Sequence, residues 1–324
     1  MRSAPSAAEK RHIVELSTRA PSIHNTQPWL WRSTSRGLEL RADPSRQLLA
    51  ADPLGRNLVI SCGAALHHAV VAAAALGWRT EVERLPEGSE STLLARLTLR
   101  HGVPSETAAA DLRAIEHRCT DRRRFTSWPV PDERLQHLAH EAELYGTRAV
   151  PLVDASSRFR AELLVAKAPD LQAADAAVTA EQRSWVDHSP VDGIPTAVLP
   201  AERPAMAGEH RSRYATGLME EPDRELESSD GLILLYAPAE GPLTWLAAGE
   251  GLSALWLLAT AQGFSIVPLS QVIEVEETRR ALTEQVLAGM GTPLMLVRVG
   301  WQAISRSELQ RTSRRPVSDV LERM

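Results

Sequence analysis

The chain has 324 residues, of which 44% are hydrophobic and 24% charged, and its formal net charge is −5 at pH 7. This composition is ordinary for a soluble globular protein, and the length allows one large domain or two modest ones. The negative charge gives no support for a nucleic-acid partner. The two cysteines, Cys62 and Cys119, are too few for a disulfide framework and show no zinc-ligand spacing.

The N-terminal residues do not match a signal peptide, because residues 1–11 are polar or small. The longest apolar run, residues 64–76, contains His67 and His68 and is too short to span a bilayer. We therefore expect a cytoplasmic protein without a membrane partner.

The first predicted helix covers residues 6–19, and a short loop rich in polar groups follows it. This loop reads Arg19-Ala20-Pro21-Ser22-Ile23-His24-Asn25-Thr26-Gln27-Pro28-Trp29. Its amide and hydroxyl groups are costly to bury unless something bonds to them, and its two prolines stiffen the backbone. We interpret the loop as lying along the edge of a planar, heteroatom-rich ring. Two short strands, 30–31 and 38–41, are predicted next.

Two later segments of the chain share one spacing. At offsets of 0, 3, 7, 10 and 14 they place Gly63, Leu66, Val70, Ala73 and Gly77 in the first, and Gly249, Leu252, Trp256, Ala259 and Gly263 in the second. These offsets lie on one helix face, and a final glycine suits a helix C-terminus. An aromatic residue follows each final glycine, and a strand-like run follows each helix, at 94–99 and 293–299. The pattern favours an internal duplication over a chance match between two alanine-rich helices.

Cys62 precedes the first of these two helices. A lowered pKa of its thiol is one interpretation, and a buried small side chain is the favoured one.

The bounds of the remaining predicted elements are less precise. The remaining segments comprise helices at 112–118, 131–144 and most of 156–185, a loop or cover at 192–213, a buried strand at 231–237, and a helix starting near 274–280. No Gly-x-Gly-x-x-Gly follows a predicted strand, so a Rossmann-type nucleotide site is not indicated.

Three further segments carry candidate binding chemistry. The run Arg118-Cys119-Thr120-Asp121-Arg122-Arg123-Arg124-Phe125 offers guanidinium groups that suit phosphate, although a solvated basic helix end has the same composition. Arg314-Arg315-Pro316-Val317 is a second basic pair near the C-terminus. Pro268-Leu269-Ser270-Gln271 follows the second repeated helix, and the alternative is an ordinary strand end.

Together these motifs resemble the nitroreductase superfamily, and most closely its Acg-type branch. The run Ser61-Cys62-Gly63-Ala64-Ala65-Leu66 and the segment Asp192-Gly193-Ile194-Pro195 add to the resemblance. The resemblance implies an α+β nitroreductase-like fold, duplicated in one chain as a pseudo-dimer. It implies halves at 1–110 and 111–324, a lid around 187–213, and a mixed sheet in each half. It also implies one FMN between the halves, because each half lacks motifs that the other carries.

The resemblance also implies a site in which the flavin carries the chemistry, with no catalytic side chain and no metal. The implied FMN-binding residues are Arg19, Pro21, Ser22, His24, Asn25, Gln27, Arg118, Thr120, Arg122, Pro268, Leu269, Ser270, Gln271, Arg314 and Arg315. Arg118, Thr120, Arg122 and Arg314 would hold the phosphate, and residues 268–271 would pass the flavin N5 atom. NADPH or NADH would act as a transient reductant.

The implied activity is two-electron reduction of a small nitro-, quinone-type or related acceptor. Two alternatives stay open: a flavin-sequestering or storage protein without turnover, and a natural-product dehydrogenase or oxidase on the same scaffold. Both a monomeric pseudo-dimer and a homodimer are compatible with this interpretation.

Overall fold

The computed structural model describes residues 4–123, 125–199, 229–302 and 311–322. Its helices are α1 Ala7–Ser17, α2 Arg56–Ala75, α3 Ala108–His117, α4 Asp132–Glu143, α5 Ala155–Ala173, α6 Ala176–Ser184, α7 Pro242–Ala261, α8 Gln271–Glu274, α9 Glu276–Gln285 and α10 Val317–Val320. Its strands are β1 Trp29–Ser33, β2 Gly37–Ala42, β3 Trp78–Arg84, β4 Leu93–His101, β5 Arg148–Pro151, β6 Gly231–Ala237, β7 Phe264–Leu269, β8 Thr292–Trp301 and β9 Leu321–Glu322. The architecture is α+β, as predicted.

The described strands form two sheets with matching order, β3-β4-β2-β1-β9 and β7-β8-β6-β5. Helix α2 connects β2 to β3, and α7 connects β6 to β7 in the same way. β9 pairs in parallel with β1, and the other strand pairs are antiparallel. Among the described strands the second sheet is antiparallel, and its parallel contact is the isolated bridge between Thr120 and Ile266 of β7, so the mixed sheet predicted for each half is fully formed in the first sheet alone. β9 also returns the end of the chain to the first sheet, so a division at residue 110 does not separate the two sheets completely.

Helices α2 and α7 pack against each other at the centre of the molecule. A Cβ on Gly63 would lie 2.1 Å from the carbonyl oxygen of Leu246, and a Cβ on Gly249 would lie 2.0 Å from that of Ile60. The contact is reciprocal, because Leu246 and Ile60 each stand three residues before the opposite glycine. Only glycine permits backbones to approach this closely.

Both central helices are 20 residues long and apolar enough to cross a membrane by length and composition. The apolar run at residues 64–76 belongs to a longer helix than the sequence predicted, because α2 already begins at the polar residues Arg56 and Asn57. However, 83% of the apolar window of α2 and 78% of that of α7 are buried inside the protein. Both therefore serve as core helices of this fold.

Strand β3, which starts immediately after α2, was missed by the sequence prediction, whereas β7, which starts immediately after α7, was anticipated only as the alternative of a strand end at 268–271. Gly77 and Gly263 end the helices in left-handed conformations, with φ of 81° and 83°. In β3, buried or half-buried residues alternate with exposed charged ones. This pattern is typical of an edge strand and contains no continuous run of apolar residues. The segment 156–185 is mostly helical, as predicted, and it consists of two helices because Asp175 caps the start of α6. Arg124 and residues 200–213 of the predicted lid lie outside the described residues.

Candidate functional site

The loop between α1 and β1 is held in an unusual backbone conformation. His24, Asn25 and Gln27 have positive φ angles of 46°, 54° and 49°, although none of them is glycine. The Ser22 hydroxyl accepts the Gln27 backbone N–H at 3.0 Å, and the Ser61 hydroxyl accepts that of Ile23 at 3.1 Å. Non-glycine residues in this region carry strain, which is common at binding sites. The loop is therefore fixed onto α2 in one shape.

An apolar recess opens beside this loop, with a volume of about 690 Å³ that includes space open to solvent. Its apolar wall is formed by Pro21, Ile23, Ile60, Ala64, Leu252, Trp256, Pro268 and Met295. Its polar lining consists of Ser22, His24, Asn57, Ser61, Thr120, Arg122 and Ser270.

A second, cationic recess adjoins the first and measures about 750 Å³, again including open space. The two recesses share four lining residues, namely Pro21, Ser22, Thr120 and Arg122. Five arginines line the cationic recess: Arg19, Arg118, Arg122, Arg311 and Arg314. Among the described residues that line it, Glu116 is the one carboxylate. Such a concentration of guanidinium groups suits an anionic ligand.

Arg118 and Arg314 meet at one acceptor in this recess. Their Nη2 atoms donate to the backbone carbonyl oxygen of Arg19 at 2.8 Å and 3.3 Å. The Arg118 guanidinium also lies over the ring of Trp256, 4.6 Å from its centroid. Its Nε and Nη1 atoms are buried and have no hydrogen-bond partner among the described residues. Two donors of a buried cation are therefore left for a ligand.

The electrostatics of this pair indicate an uncompensated positive charge. Burial lowers the pKa of Arg314 to about 9, and the neighbouring charges of Arg118 and Arg19 add to this effect. Burial lowers the pKa of Arg118 to about 10, again with a contribution from Arg19. An anion bound between them would relieve the repulsion of these like charges.

The successive residues Arg122 and Arg123 have different surroundings. Arg122 lines both recesses. Arg123 is buried and turns to Asp121, to which its Nε and Nη2 donate at 2.9 Å and 2.8 Å. Thr120 is placed by an isolated parallel bridge to Ile266 of β7. The tertiary structure thus separates one candidate ligand arginine from a structural one.

Eleven of the predicted site residues line these recesses, and four do not. Gln27, Leu269, Gln271 and Arg315 lie outside both linings. The Gln27 amide is fully buried and donates to Val191 O at 2.9 Å, while its oxygen accepts the Arg315 backbone N–H at 2.8 Å. Leu269 pairs with β8, and the Gln271 amide bonds to Gln172 at 2.6 Å. These side chains are occupied by contacts within the protein.

The segment 186–194, which we call the cover, is fastened to the early loop. Asn25 Nδ2 donates to Gly193 O at 2.9 Å and to Ser313 O at 3.2 Å, while its oxygen accepts from Arg314 Nη1 at 3.1 Å. Arg46 forms an ion pair with Asp192. Asn25 therefore joins the cover, the early loop and the C-terminal arm that carries Arg314.

The chemistry of the two adjoining recesses fits FMN, because an apolar, aromatic-lined space adjoins a cationic one with unpaired buried donors.

The sequence analysis missed several residues of this site, above all Trp256, Asn57 and Ser61. Asn57 and Ser61 stand four residues apart on a mostly apolar helix, and this spacing was an available signal. Trp256 was assigned only to a helix face, because its contact with Arg118 depends on the tertiary fold.

Other titratable groups in the described part of the chain offer no competing centre. Burial raises the pKa of the Cys62 thiol, so the lowered-pKa interpretation is wrong and the buried one is confirmed. His67 and His68 are buried, and both bond to the Ser253 hydroxyl, at 2.7 Å and 2.8 Å. Within residues 4–123, 125–199, 229–302 and 311–322, no cluster of three metal-ligating side chains is found.

Comparison with known proteins identifies the family. No family model matches the chain. A Mycobacterium tuberculosis protein provisionally named as an NAD(P)H nitroreductase is 37% identical over 321 residues, which cover 98% of this chain and 92% of the relative. The Acg protein of the same organism, provisionally named in the same way, is 31% identical over 319 residues, covering 96% and 94%. A solved nitroreductase with bound FMN from Bacteroides fragilis has a TM-score of 0.40 at 12% identity, covering 62% of this chain and 93% of its own.

The sequence relatives decide the assignment, since they align over nearly their full lengths. This chain belongs to the nitroreductase superfamily, a group of oxidoreductases. Within that superfamily it lies on the Acg-like branch, as the sequence motifs predicted.

Proposed function

We propose that this chain is an FMN-binding oxidoreductase that reduces a small nitro-, quinone-type or related acceptor by two electrons. The observation that carries the proposal is the convergence of Arg118 and Arg314 on the Arg19 carbonyl, beside a recess walled by Trp256. A cationic pocket that continues into an aromatic one is the arrangement required by a flat ring joined to a phosphate. The family membership points the same way.

Each part of the site has a distinct task in this proposal. Arg118, Arg122, Arg314 and the Thr120 hydroxyl hold the phosphate, since guanidinium groups bind phosphate through charge-assisted hydrogen bonds. Pro21, His24, Ile60 and Trp256 contact the faces and edges of the ring and exclude water from it. Pro268 and Ser270 form the wall at the redox-active edge, where hydrogen bonds tune reactivity. Bound FMN would supply hydride transfer at N5.

We further propose that the chain is a single-chain pseudo-dimer with one flavin site. The matching order of the two sheets and the reciprocal glycine contact support an internal repeat. The C-terminal arm lines the cationic recess and the end of β7 lines the apolar one, while the early loop and the 118–122 segment line both. Both halves therefore contribute residues to the flavin site. The boundary near residue 110, the oligomeric state and the cytoplasmic location remain predictions.

NADPH or NADH is the proposed reductant, docking transiently at the open side of the apolar recess.

The anchored cover supports a second candidate function, storage of flavin without turnover. Ile194 and Val198 line the cationic recess, and Asn25 and Arg46 hold the cover in place. A cover fastened in this way beside the cationic recess would slow the release of a flavin whose phosphate is held there.

The phosphate assignment can be tested by titrating apo protein with FMN and with riboflavin, which lacks the phosphate. Arg118→Met should weaken FMN binding about 10- to 100-fold, because each charged hydrogen bond contributes about 1.5–3 kcal/mol. Riboflavin binding should change much less. Arg113→Met removes an exposed arginine from α3 and serves as the matched control. Wild-type FMN affinity in Arg118→Met would overturn the assignment.

The choice between enzyme and storage protein needs a separate measurement. FMN-loaded protein is mixed with NADPH or NADH without oxygen, and the visible absorbance of the flavin is followed. Bleaching within seconds to minutes, followed by reoxidation on addition of a nitroaromatic or quinone, supports the enzyme. Persistent yellow colour with both reductants supports storage.

A further inference from the structure

The repeated units can be compared residue by residue, because one constant separates them. Adding 186 to a number in the first unit gives its counterpart, as Gly63 and Gly249 or Gly77 and Gly263 show. The same offset relates the first residues of β3 and β7, Trp78 and Phe264. The register therefore continues without a shift from the central helix into the following strand.

This offset locates the counterpart of the apolar recess on the other side of α2 and α7. Of the recess residues on α2, α7 and the end of β7, six have apolar counterparts, among them Leu246 for Ile60, Val70 for Trp256 and Val82 for Pro268. At the two other positions a small residue corresponds to a long charged one. Ala64 corresponds to Glu250, and Ser270 corresponds to Arg84.

Glu250 and Arg84 are bonded to each other. Arg84 Nε donates to Glu250 Oε2 at 2.7 Å, and Arg84 Nη2 donates to Oε1 at 2.8 Å. The Glu250 side chain is 1% exposed and that of Arg84 is 33% exposed. Two small residues that leave room in one recess are thus replaced by two long ones that meet as a bidentate pair.

We infer that the Arg84–Glu250 ion pair closes a second, symmetry-related ring recess, so that the chain takes one planar flavin-type ring instead of two. The inference rests on the proposed function, since the first recess must itself take a flavin. The two side chains fill the volume where a ring would stack, and their opposite charges compensate each other without any ligand. A buried carboxylate without its partner would be costly, which explains why the two changes occur together.

The test uses FMN-saturated protein and lumiflavin, a flavin ring that lacks the ribityl phosphate and so needs no cationic recess. The double variant Arg84→Ser with Glu250→Ala gives the counterpart recess the same small residues as the first one. Lumiflavin fluorescence quenching should then show one additional equivalent per chain, while the wild type shows none. The matched control is Arg100→Ser with Glu81→Ala, which removes an exposed bidentate pair from the β3–β4 surface.

A double variant that folds, binds one FMN and takes up no lumiflavin would overturn the inference, as would lumiflavin uptake by the control variant. Failure of the wild type to bind FMN would instead contradict the proposed function. If the double variant does not fold, Glu250→Ala alone is measured in the same way, because the partly exposed Arg84 can turn to solvent. An added lumiflavin equivalent in that variant supports the inference, and its absence contradicts it.

Discussion

His67 and Ser253 occupy equivalent positions of the two repeated units, and they bond directly to each other. The distance from His67 Nδ1 to Ser253 Oγ is 2.7 Å. In a twofold arrangement, residues related by symmetry touch each other only where the axis passes between them. This contact therefore marks the position of the proposed pseudo-twofold axis, in the middle of the α2–α7 interface. Burial lowers the pKa of His67 to about 3, so the imidazole is neutral there.

The close approach at Gly63 predicts a large effect of one added methyl group. Gly63→Ala should lower the free energy of unfolding by about 2–3 kcal/mol, because its Cβ would overlap a carbonyl oxygen on the opposite helix. Chemical denaturation measures this change. Gly102→Ala is the control, since its nearest atoms would lie at an ordinary 3.5 Å. Equal losses in the two variants would refute the tight crossing.

Asp52 predicts a specific pH dependence of stability. The carboxylate accepts the Leu58 backbone N–H at 3.0 Å, and burial raises its pKa from 3.8 to about 6. Between those values the folded state holds a proton that the unfolded state has released, so this group's contribution to stability falls as pH rises. Asp52→Asn keeps the acceptor oxygen and should gain about 3 kcal/mol at most at pH 7, with little change below pH 4.

Thermal and urea unfolding of Asp52→Asn and the wild type, compared from pH 4 to pH 7, would check this. The difference between the two proteins isolates Asp52 from the buried histidines, whose titration has the opposite sign. A difference that stays constant over this range would contradict the raised pKa.

The bonds of Asn25 predict that the cover and the C-terminal arm depend on one side chain. Asn25→Ala removes the donors to Gly193 and Ser313 and the acceptor for Arg314. Hydrogen–deuterium exchange should rise in both 186–194 and 311–315, and FMN affinity should fall about tenfold. Gln47→Ala, which loses an amide bond to Asp52 O at 2.9 Å, is the control. Unchanged exchange in either segment would disprove the joint role.

The crowded arginines predict a conflict between stability and binding. Arg118→Met should stabilise the flavin-free protein by about 1 kcal/mol, because a buried charge surrounded by like charges gives way to an apolar chain. The same variant should be less stable than the wild type when FMN is in excess. Urea unfolding with and without FMN measures both effects. Destabilisation without FMN would mean that Arg118 is a structural residue.

The sequence predicted the local elements well where periodicity or capping was strong. The buried strand at 231–237 and the ends of both central helices at glycine were confirmed. Strand β3 escaped, because its charged residues interrupt an apolar pattern, whereas the short β7 was anticipated only at its end, residues 268–271. Family motifs indicated most of the site, but they grouped Gln27 and Arg315 with the recess although both side chains face the protein.

By itself the sequence determined the family, the glycine spacing of two core helices, and the residue types available for an anionic and an aromatic ligand. Only the tertiary structure decided which arginines serve the recess, because Arg123 is satisfied by Asp121 whereas Arg118 keeps two buried donors unpaired. It also joined residues 19, 118 and 314 at one oxygen atom. Hydrogen-bond partners far apart in the chain depend on packing, which local patterns do not encode.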